Sequence, residues 1–159
     1  MAESHLRRVL DMLGGMSVGV PQIGKEYGLG QYELSVAHGD PLQAIDDYYA
    51  VRDAVRDAAA ESGYEATFMP KPYVEWSGNR LHVHLSIWDT AGTTDLTPDA
   101  TDEVSISTTG RQFAGGLLHH IDALTGLGSR TVNSYKRLQP GSWAPANTSR
   151  IGGMAIGPA

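Results

Sequence analysis

Apolar positions in the first twenty residues follow two different periods. In residues 4–13, four apolar side chains recur at helical spacing, namely Leu6, Val9, Leu10 and Leu13. Ser4 suits the cap position and Gly14-Gly15 suits the end, so the pattern predicts a short helix. Residues 16–20 then alternate apolar with small side chains, which predicts a strand.

The next segment, QYELSVA at residues 31–37, alternates strictly between apolar and polar side chains. One side of the predicted strand carries Tyr32, Leu34 and Val36, and the other carries Gln31, Glu33 and Ser35. Asp40-Pro41 follows as a strong helix start. That helix is predicted to run to about Ser62, before Gly63. Its predicted buried stripe comprises Ala44, Tyr48, Val51, Val55 and Ala58, and its charged face is interpreted as solvated.

Later segments mix short strands with one more helix. Residues 64–69 and 80–88 are predicted strands, and the Thr-, Asp-, Gly- and Ser-rich residues 90–110 a loop. A helix over roughly 111–125 presents Phe113, Leu117, Ile121 and Leu124 on one side. His119 and His120 within it diverge by about 100°, so they are interpreted as structural or surface residues. Without regular alternation of strands and helices, the expected class is α+β, a largely antiparallel sheet with helices packed on one face.

Composition narrows the choice of partners. The chain has 159 residues, the size of one domain, with 41% hydrophobic and 19% charged residues. A net charge of -6 without a basic stripe argues against nucleic acid. No apolar run suits a membrane span or signal peptide, so we expect a soluble cytoplasmic protein. Because cysteine is absent, any metal site must use His, Asp or Glu, which favours Mg²⁺ or Mn²⁺.

The segment RLHVHLSIW, residues 80–88, raises a question about its polar face. Its apolar face carries Leu81, Val83, Leu85 and Ile87, and we expect the helix from Pro41 to cover it. The other face carries Arg80, His82, His84, Ser86 and Trp88. Solvent exposure is the simpler interpretation, since one face of an antiparallel sheet is commonly polar. Two imidazoles here, with Glu33 on a neighbouring polar strand and Glu26 seven residues before it across a Gly-containing bend, favour a metal or ligand site instead.

Four motifs in this order resemble the catalytic domain of the glutamine synthetase family. They are EYGLGQYE, ATFMPKP, GNRLHVHLSI and NSYKRLQPGSWAP. The resemblance covers about residues 15–147, leaves the tail 148–159 unmatched, and makes residues 1–159 a single partial catalytic domain. It implies an ATP-dependent ligase that forms the γ-amide of L-glutamate from ammonia through γ-glutamyl phosphate. ATP, Mg²⁺ or Mn²⁺, L-glutamate and ammonium are the implied cofactors and partners, and the full-length parent is expected to be a homo-oligomer.

The resemblance also assigns roles to individual residues. Glu26 and Glu33 match two glutamates that bind one divalent cation, and His82 matches a ligand of another. The remaining assignments are His84 and Ser86 at the ATP site, Gly78 as a backbone contact to substrate glutamate, and Arg137 for glutamate or the transferring phosphoryl group. Lys136 and Lys71 are interpreted as structural.

Three departures from the family pattern qualify these roles. No Glu-x-Glu pair occurs anywhere in the chain. The last glutamate is Glu103 and the last basic residue Arg150, so later metal ligands and substrate arginines are absent. At a flap position where typical family members carry a glutamate, this chain has Trp143, which cannot accept a proton but could pack against an amine.

These departures leave alternatives to glutamine synthesis open. The acceptor could be a polyamine or another primary amine, for which Trp143 is the only support, although a simple packing role for Trp143 is equally compatible. The chain could also be a non-catalytic fragment with residual metal or nucleotide binding. We expect no ligase activity from these 159 residues alone, and we expect self-association through uncovered sheet edges and apolar surface.

Overall fold

The computed structural model describes residues 2–138, so Trp143 and the tail lie outside the described residues. Two compact units divide the chain, Met1–Gly78 and Asn79–Ala159, called here the N-terminal and C-terminal units. No helix in the range 2–138 has the length and apolar character needed to cross a bilayer.

Two helices dominate the N-terminal unit, α1 (Ala2–Gly15) and α2 (Pro41–Glu61). Both confirm the sequence prediction. Asp40 caps α2 because its carboxylate accepts a hydrogen bond from the Leu42 backbone N–H at 2.9 Å. Pro41 occupies the first turn, where its missing N–H costs nothing. At the other end Gly63 adopts a positive φ of 72°, as the predicted helix end requires.

The hydrophobic core of this unit lies where α1 packs on α2. Its buried members are Val9, Leu13, Val18, Val51, Ala54 and Ala58. Two of the five predicted stripe residues of α2, Val51 and Ala58, are buried, and the other three are half-buried. Ala54 and Ala59 are also buried, although the predicted stripe omitted them. Ala54 and Ala58 belong to the core cluster, so part of the face that α2 packs against α1 is made of small side chains.

A two-stranded antiparallel sheet completes the N-terminal unit. Strand β1 (Gln22–Lys25) pairs with β2 (Tyr32–Ser35), which confirms the centre of the predicted strand 31–37. The strand predicted over 16–20 is wrong. Ser17 has a φ of 62°, and the Val18 N–H donates to the Leu13 carbonyl at 2.9 Å. This turn folds Val18 back onto the core, while Met16 of the same alternating pattern is 51% exposed. The Gly19 carbonyl accepts a hydrogen bond from the Ala37 N–H at 2.9 Å, but residues 16–20 form no regular strand.

Residues 64–69 also form no strand, contrary to the prediction, and the ladder found within residues 2–138 joins other segments. Phe68 instead contacts α2, where the guanidinium groups of Arg52 and Arg56 lie 5.1 and 5.5 Å from its ring centroid. The interpretation of the charged face of α2 as merely solvated is therefore incomplete, because its arginines partly cover an aromatic ring.

The described part of the C-terminal unit contains three helices, α3 (Thr108–His119), α4 (Ile121–Gly128) and α5 (Val132–Arg137). The single helix predicted over 111–125 is thus two helices. The break lies at His120, whose φ of -101° and ψ of 15° depart from helical values. The rings of His119 and His120 contact each other edge to face, with centroids 4.8 Å apart.

Residues 80–87 form no strand, contrary to the prediction. The nearest pairing is an isolated antiparallel bridge between Trp88 and Asp95. Leu81, Val83 and Leu85 are 62%, 67% and 54% exposed, so none of the described helices of the C-terminal unit buries this apolar face. The expected cover by α2, which belongs to the N-terminal unit, stays a prediction. The α+β class is confirmed, as helices and a small antiparallel sheet make up the described chain.

Candidate active site

One face of the β1–β2 hairpin carries both predicted carboxylate ligands. Glu33 pairs with Gly24 in the ladder, and the Glu26 N–H donates to the Gln31 carbonyl at 2.9 Å, which continues the same register. Directly paired residues of an antiparallel ladder project to the same side, and so do residues two apart. Glu26, Gln31 and Glu33 therefore share one face of the hairpin.

The two carboxylates lie at diagonal positions, for which Cα atoms are about 7–8 Å apart. Glu26 is half-buried, and its Oε2 accepts a hydrogen bond from the Tyr27 N–H at 3.3 Å. Glu33 is exposed. Glutamate side chains can converge from this spacing on one hard cation, which prefers oxygen ligands. Within residues 2–138 no third His, Asp or Glu joins such a group.

Gly78, the predicted backbone contact, is connected to this hairpin through Gln31. The Gln31 Nε2 donates to the Gly78 carbonyl at 3.2 Å, and its Oε1 accepts from the Ser77 hydroxyl at 2.8 Å. The same Oε1 accepts from the Gly28 N–H at 2.9 Å. The carbonyl at Gly78 is thus held beside the hairpin face that carries Glu26 and Glu33.

Two solvent-open cavities border the hairpin loop. One of about 450 Å³ is lined by Lys25, Glu26 and Tyr27. The other, of about 220 Å³, has one wall from residues 27–29 and another from residues 75–77. Its lining includes two aromatic residues and the acidic Glu75, a combination that suits a small organic cation.

The polar residues of 80–88 lie in the C-terminal unit. His82, His84 and Ser86 are all exposed. The Ser86 hydroxyl accepts a hydrogen bond from the Trp88 indole N–H at 2.9 Å. The three side chains are therefore accessible to a ligand.

Arg137 is buried at the end of α5, with 7% of its surface exposed. Burial lowers its pKa, and the nearby positive charge of Arg80 lowers it further. A guanidinium in this setting is suited to an anionic ligand, since it presents planar donors and its neighbour carries the same charge. Lys136 beside it is exposed.

The structure gathers three predicted residues, Glu26, Glu33 and Gly78, in the N-terminal unit; the others that it describes belong to the C-terminal unit. Sequence reasoning missed Gln31. The available signal was its position on the same polar face of the strand as Glu33, two residues away.

Comparison with known proteins assigns the family. The sequence model described as "Glutamine synthetase, catalytic domain" matches residues 1–149. Type-1 glutamine synthetase 1 of Dictyostelium discoideum is 40% identical over 144 residues, covering 91% of this chain and 29% of that protein. The glutamate–methylamine ligase of Methyloversatilis universalis is 38% identical over 153 residues, covering 91% of this chain and 34% of that protein.

A solved structure agrees. The one described as apo GmaS without ligand has a TM-score of 0.77 and 35% sequence identity, covering 86% of this chain and 32% of that chain. The chain thus spans about a third of the length of these relatives. Sequence and fold both match the same family over most of the chain. The chain belongs to the glutamine synthetase family, and it matches the catalytic domain of that family.

Proposed function

We propose that this chain forms part of an ATP-dependent ligase that joins ammonia to the γ-carboxylate of L-glutamate. The observation that carries the proposal is the arrangement of the hairpin. Two carboxylates, Glu26 and Glu33, share one face, and Gln31 attaches the Gly78 carbonyl to it. In a family of glutamate ligases, that combination supports cation binding beside a contact to substrate.

Glu26 and Glu33 would hold one divalent cation, Mg²⁺ or Mn²⁺, and His82 would hold another. The donor chemistry fits, because carboxylate oxygens and imidazole suit these ions. When bound, such cations neutralise charge that develops on the phosphoryl group. His84 and Ser86 would line the ATP site, and their exposure leaves them accessible to it.

The remaining residues would orient glutamate. The Gly78 carbonyl has two lone pairs, and Gln31 uses one of them, so the second can accept an N–H of the substrate. Arg137 would hold a substrate carboxylate or the transferring phosphoryl group through its planar donors. γ-Glutamyl phosphate forms when the γ-carboxylate attacks the terminal phosphorus of ATP and ADP leaves. Ammonia then attacks the acyl carbon, the bond to the phosphate oxygen breaks, and glutamine forms as inorganic phosphate leaves and one proton of the ammonia is released.

A primary amine is the second candidate acceptor. The similarity to a glutamate–methylamine ligase favours it, and so does the cavity of about 220 Å³ lined by Tyr27, Trp76 and Glu75. Trp143 would pack against the amine in this proposal. Ammonium and methylamine compared as acceptors, at equal concentrations of the free base, separate the two. Turnover of ammonium alone excludes the amine proposal.

The test protein is this chain together with any coding sequence that adjoins it in frame. We expect ADP release that requires both glutamate and an acceptor. Mn²⁺ binding, followed by electron paramagnetic resonance, should weaken at least tenfold in the Glu26→Gln/Glu33→Gln double variant and stay unchanged in Glu65→Gln. Glutamate-independent ADP release, or equal Mn²⁺ binding by all variants, contradicts the proposal. The 159 residues alone should show no acceptor-dependent phosphate release, and they should self-associate in light scattering.

A further inference from the structure

The Gln31 side chain connects the hairpin of the candidate site to a distant segment of the N-terminal unit. Its amide bonds to three groups, the Gly28 N–H, the Ser77 hydroxyl and the Gly78 carbonyl, at 2.9, 2.8 and 3.2 Å. Its backbone also closes the hairpin loop, with the N–H donating to the Gly28 carbonyl at 3.2 Å. The side chain thus joins the hairpin loop to Ser77 and Gly78, which lie 46 and 47 residues later in the sequence.

The loop is shaped to hold this amide in place. Gly28 is buried, and a Cβ there would lie 2.9 Å from the Gln31 Oε1 and 3.2 Å from its Cβ. Any larger residue at position 28 would therefore displace the glutamine. The bonds to Gly28 and Ser77 also join the two walls of the smaller cavity. A half-buried amide with three defined partners has one preferred orientation.

We propose that Gln31 is a positioning residue that couples the cation-binding face of the hairpin to the glutamate contact at Gly78. The inference rests on the proposed function, and it adds a residue and a linkage to it. Glu26 and Glu33 flank Gln31 in the loop and strand, so ordering them by a cation orders the Gln31 backbone as well. The amide transmits that order to Gly78 through its Nε2.

Coupling of this kind is reciprocal. If a cation at Glu26 and Glu33 improves glutamate binding by some factor, glutamate improves cation binding by the same factor. Typical couplings are about 5–150-fold. We expect L-glutamate to tighten Mn²⁺ binding at least fivefold in the wild type. Removing the amide should bring this ratio close to one, because both ligands then bind without ordering each other's contacts.

Three variants separate the contacts of Gln31. Gln31→Met keeps the length but removes every amide hydrogen bond. Gln31→Glu retains the acceptor for Gly28 and Ser77, loses the donor to Gly78 and adds a negative charge. Its Mn²⁺ affinities with and without L-glutamate are compared within the same variant, so the added charge is present in both measurements. Gln22→Met is the matched control, since Gln22 lies on the same hairpin face, paired with Ser35.

Mn²⁺ titrations with and without L-glutamate, followed by electron paramagnetic resonance, test the inference. The protein used is this chain together with any coding sequence that adjoins it in frame. The coupling ratio should fall to about one in Gln31→Met and Gln31→Glu and persist in Gln22→Met. The KM for glutamate should rise about 2–10-fold, as expected for one lost hydrogen bond, while the KM for ATP stays within twofold. A general loss of structure would raise both.

The possible outcomes distinguish failure of the positioning role of Gln31 from failure of the proposed ligase function. A ratio that persists in both Gln31 variants overturns the positioning role and leaves the ligase proposal intact. Mn²⁺ binding by the wild type without any effect of glutamate also overturns it. Absence of both Mn²⁺ binding and ligase activity in the wild type overturns the proposed function itself. If Gln31→Met does not fold, Gln31→Glu decides the question.

Discussion

Arg8 of α1 and Glu61 of α2 form a two-bonded ion pair that links the two helices of the N-terminal unit. The Arg8 Nε donates to the Glu61 Oε2 at 2.7 Å, and its Nη2 donates to Oε1 at 3.0 Å. Both side chains are about half exposed. The parallel geometry is the favourable one for arginine and a carboxylate, but solvent screens the attraction.

The Arg8→Met substitution should lower the melting temperature slightly, and less so in 1 M NaCl. Hydrogen bonding to Arg8 lowers the pKa of Glu61 from its ordinary value of 4.5. A lowered pKa contributes stability that is complete above that ordinary value and is lost as the pH falls towards the folded-state pKa. The difference between wild type and variant should therefore be constant from pH 6 to 8 and shrink below about pH 4.5. A difference that grows in acid contradicts this account.

Loss of the helix cap at Asp40 should lower the free energy of unfolding more than loss of the Arg8–Glu61 ion pair. Asp40→Ala removes the acceptor for the Leu42 N–H, and such changes typically cost about 0.5–2 kcal/mol. Urea unfolding measures this free energy. Asp46→Ala, at an exposed position within α2, is the matched control and should change stability by less than about 0.5 kcal/mol. Equal effects at the two positions would argue against the cap.

The contact between α1 and α2 should not accommodate larger side chains. Ala58 is fully buried, so Ala58→Leu forces extra methylenes into a packed core at a cost of about 1–3 kcal/mol. Ala60 lies two residues away and is exposed, so Ala60→Leu should be nearly neutral. Urea unfolding of the two variants compares the sites directly. A neutral Ala58→Leu would mean that the helices can separate.

Arg137 should not tolerate lysine. If its guanidinium binds an anionic substrate group, Arg137→Lys keeps the charge but loses the planar pair of donors. Losing such a charge-assisted bond corresponds to a decrease of about 10–100-fold in kcat/KM for glutamate. Lys136→Arg is the control, since Lys136 is exposed and has no assigned role. Unchanged kinetics in Arg137→Lys would remove Arg137 from the proposed site.

Gly28 should be intolerant of a side chain for a local reason. Gly28→Ala places a Cβ against the Gln31 amide, so we expect the KM for glutamate to rise as it does in Gln31→Met. Gly39→Ala is the control, because a Cβ there meets nothing within 4 Å. Kinetic assays of both variants provide the measurement. Equal KM values for Gly28→Ala and wild type would show that the loop yields without moving the amide.

Helices and strands were not equally predictable in this chain. A helix closes its hydrogen bonds within itself, so Asp40-Pro41 and Gly63 sufficed to predict the bounds of α2. A strand needs a partner that the local sequence does not name. Residues 80–87 alternate as completely as residues 31–37, yet only the second segment has a ladder partner in the described structure.

For the candidate site, the sequence by itself determined which residues are candidates and that Gln31 and Glu33, two residues apart in the string EYGLGQYE, lie on the same side of their strand. Glu26 joins that face only through the hairpin register, which sets it opposite Gln31. Only the tertiary structure decided that Gln31 reaches Ser77 and Gly78, because that contact joins segments distant in the chain. Periodicity specifies the direction of a side chain relative to its own backbone. The partner of that side chain depends on which distant segment lies beside it, and tertiary packing determines this.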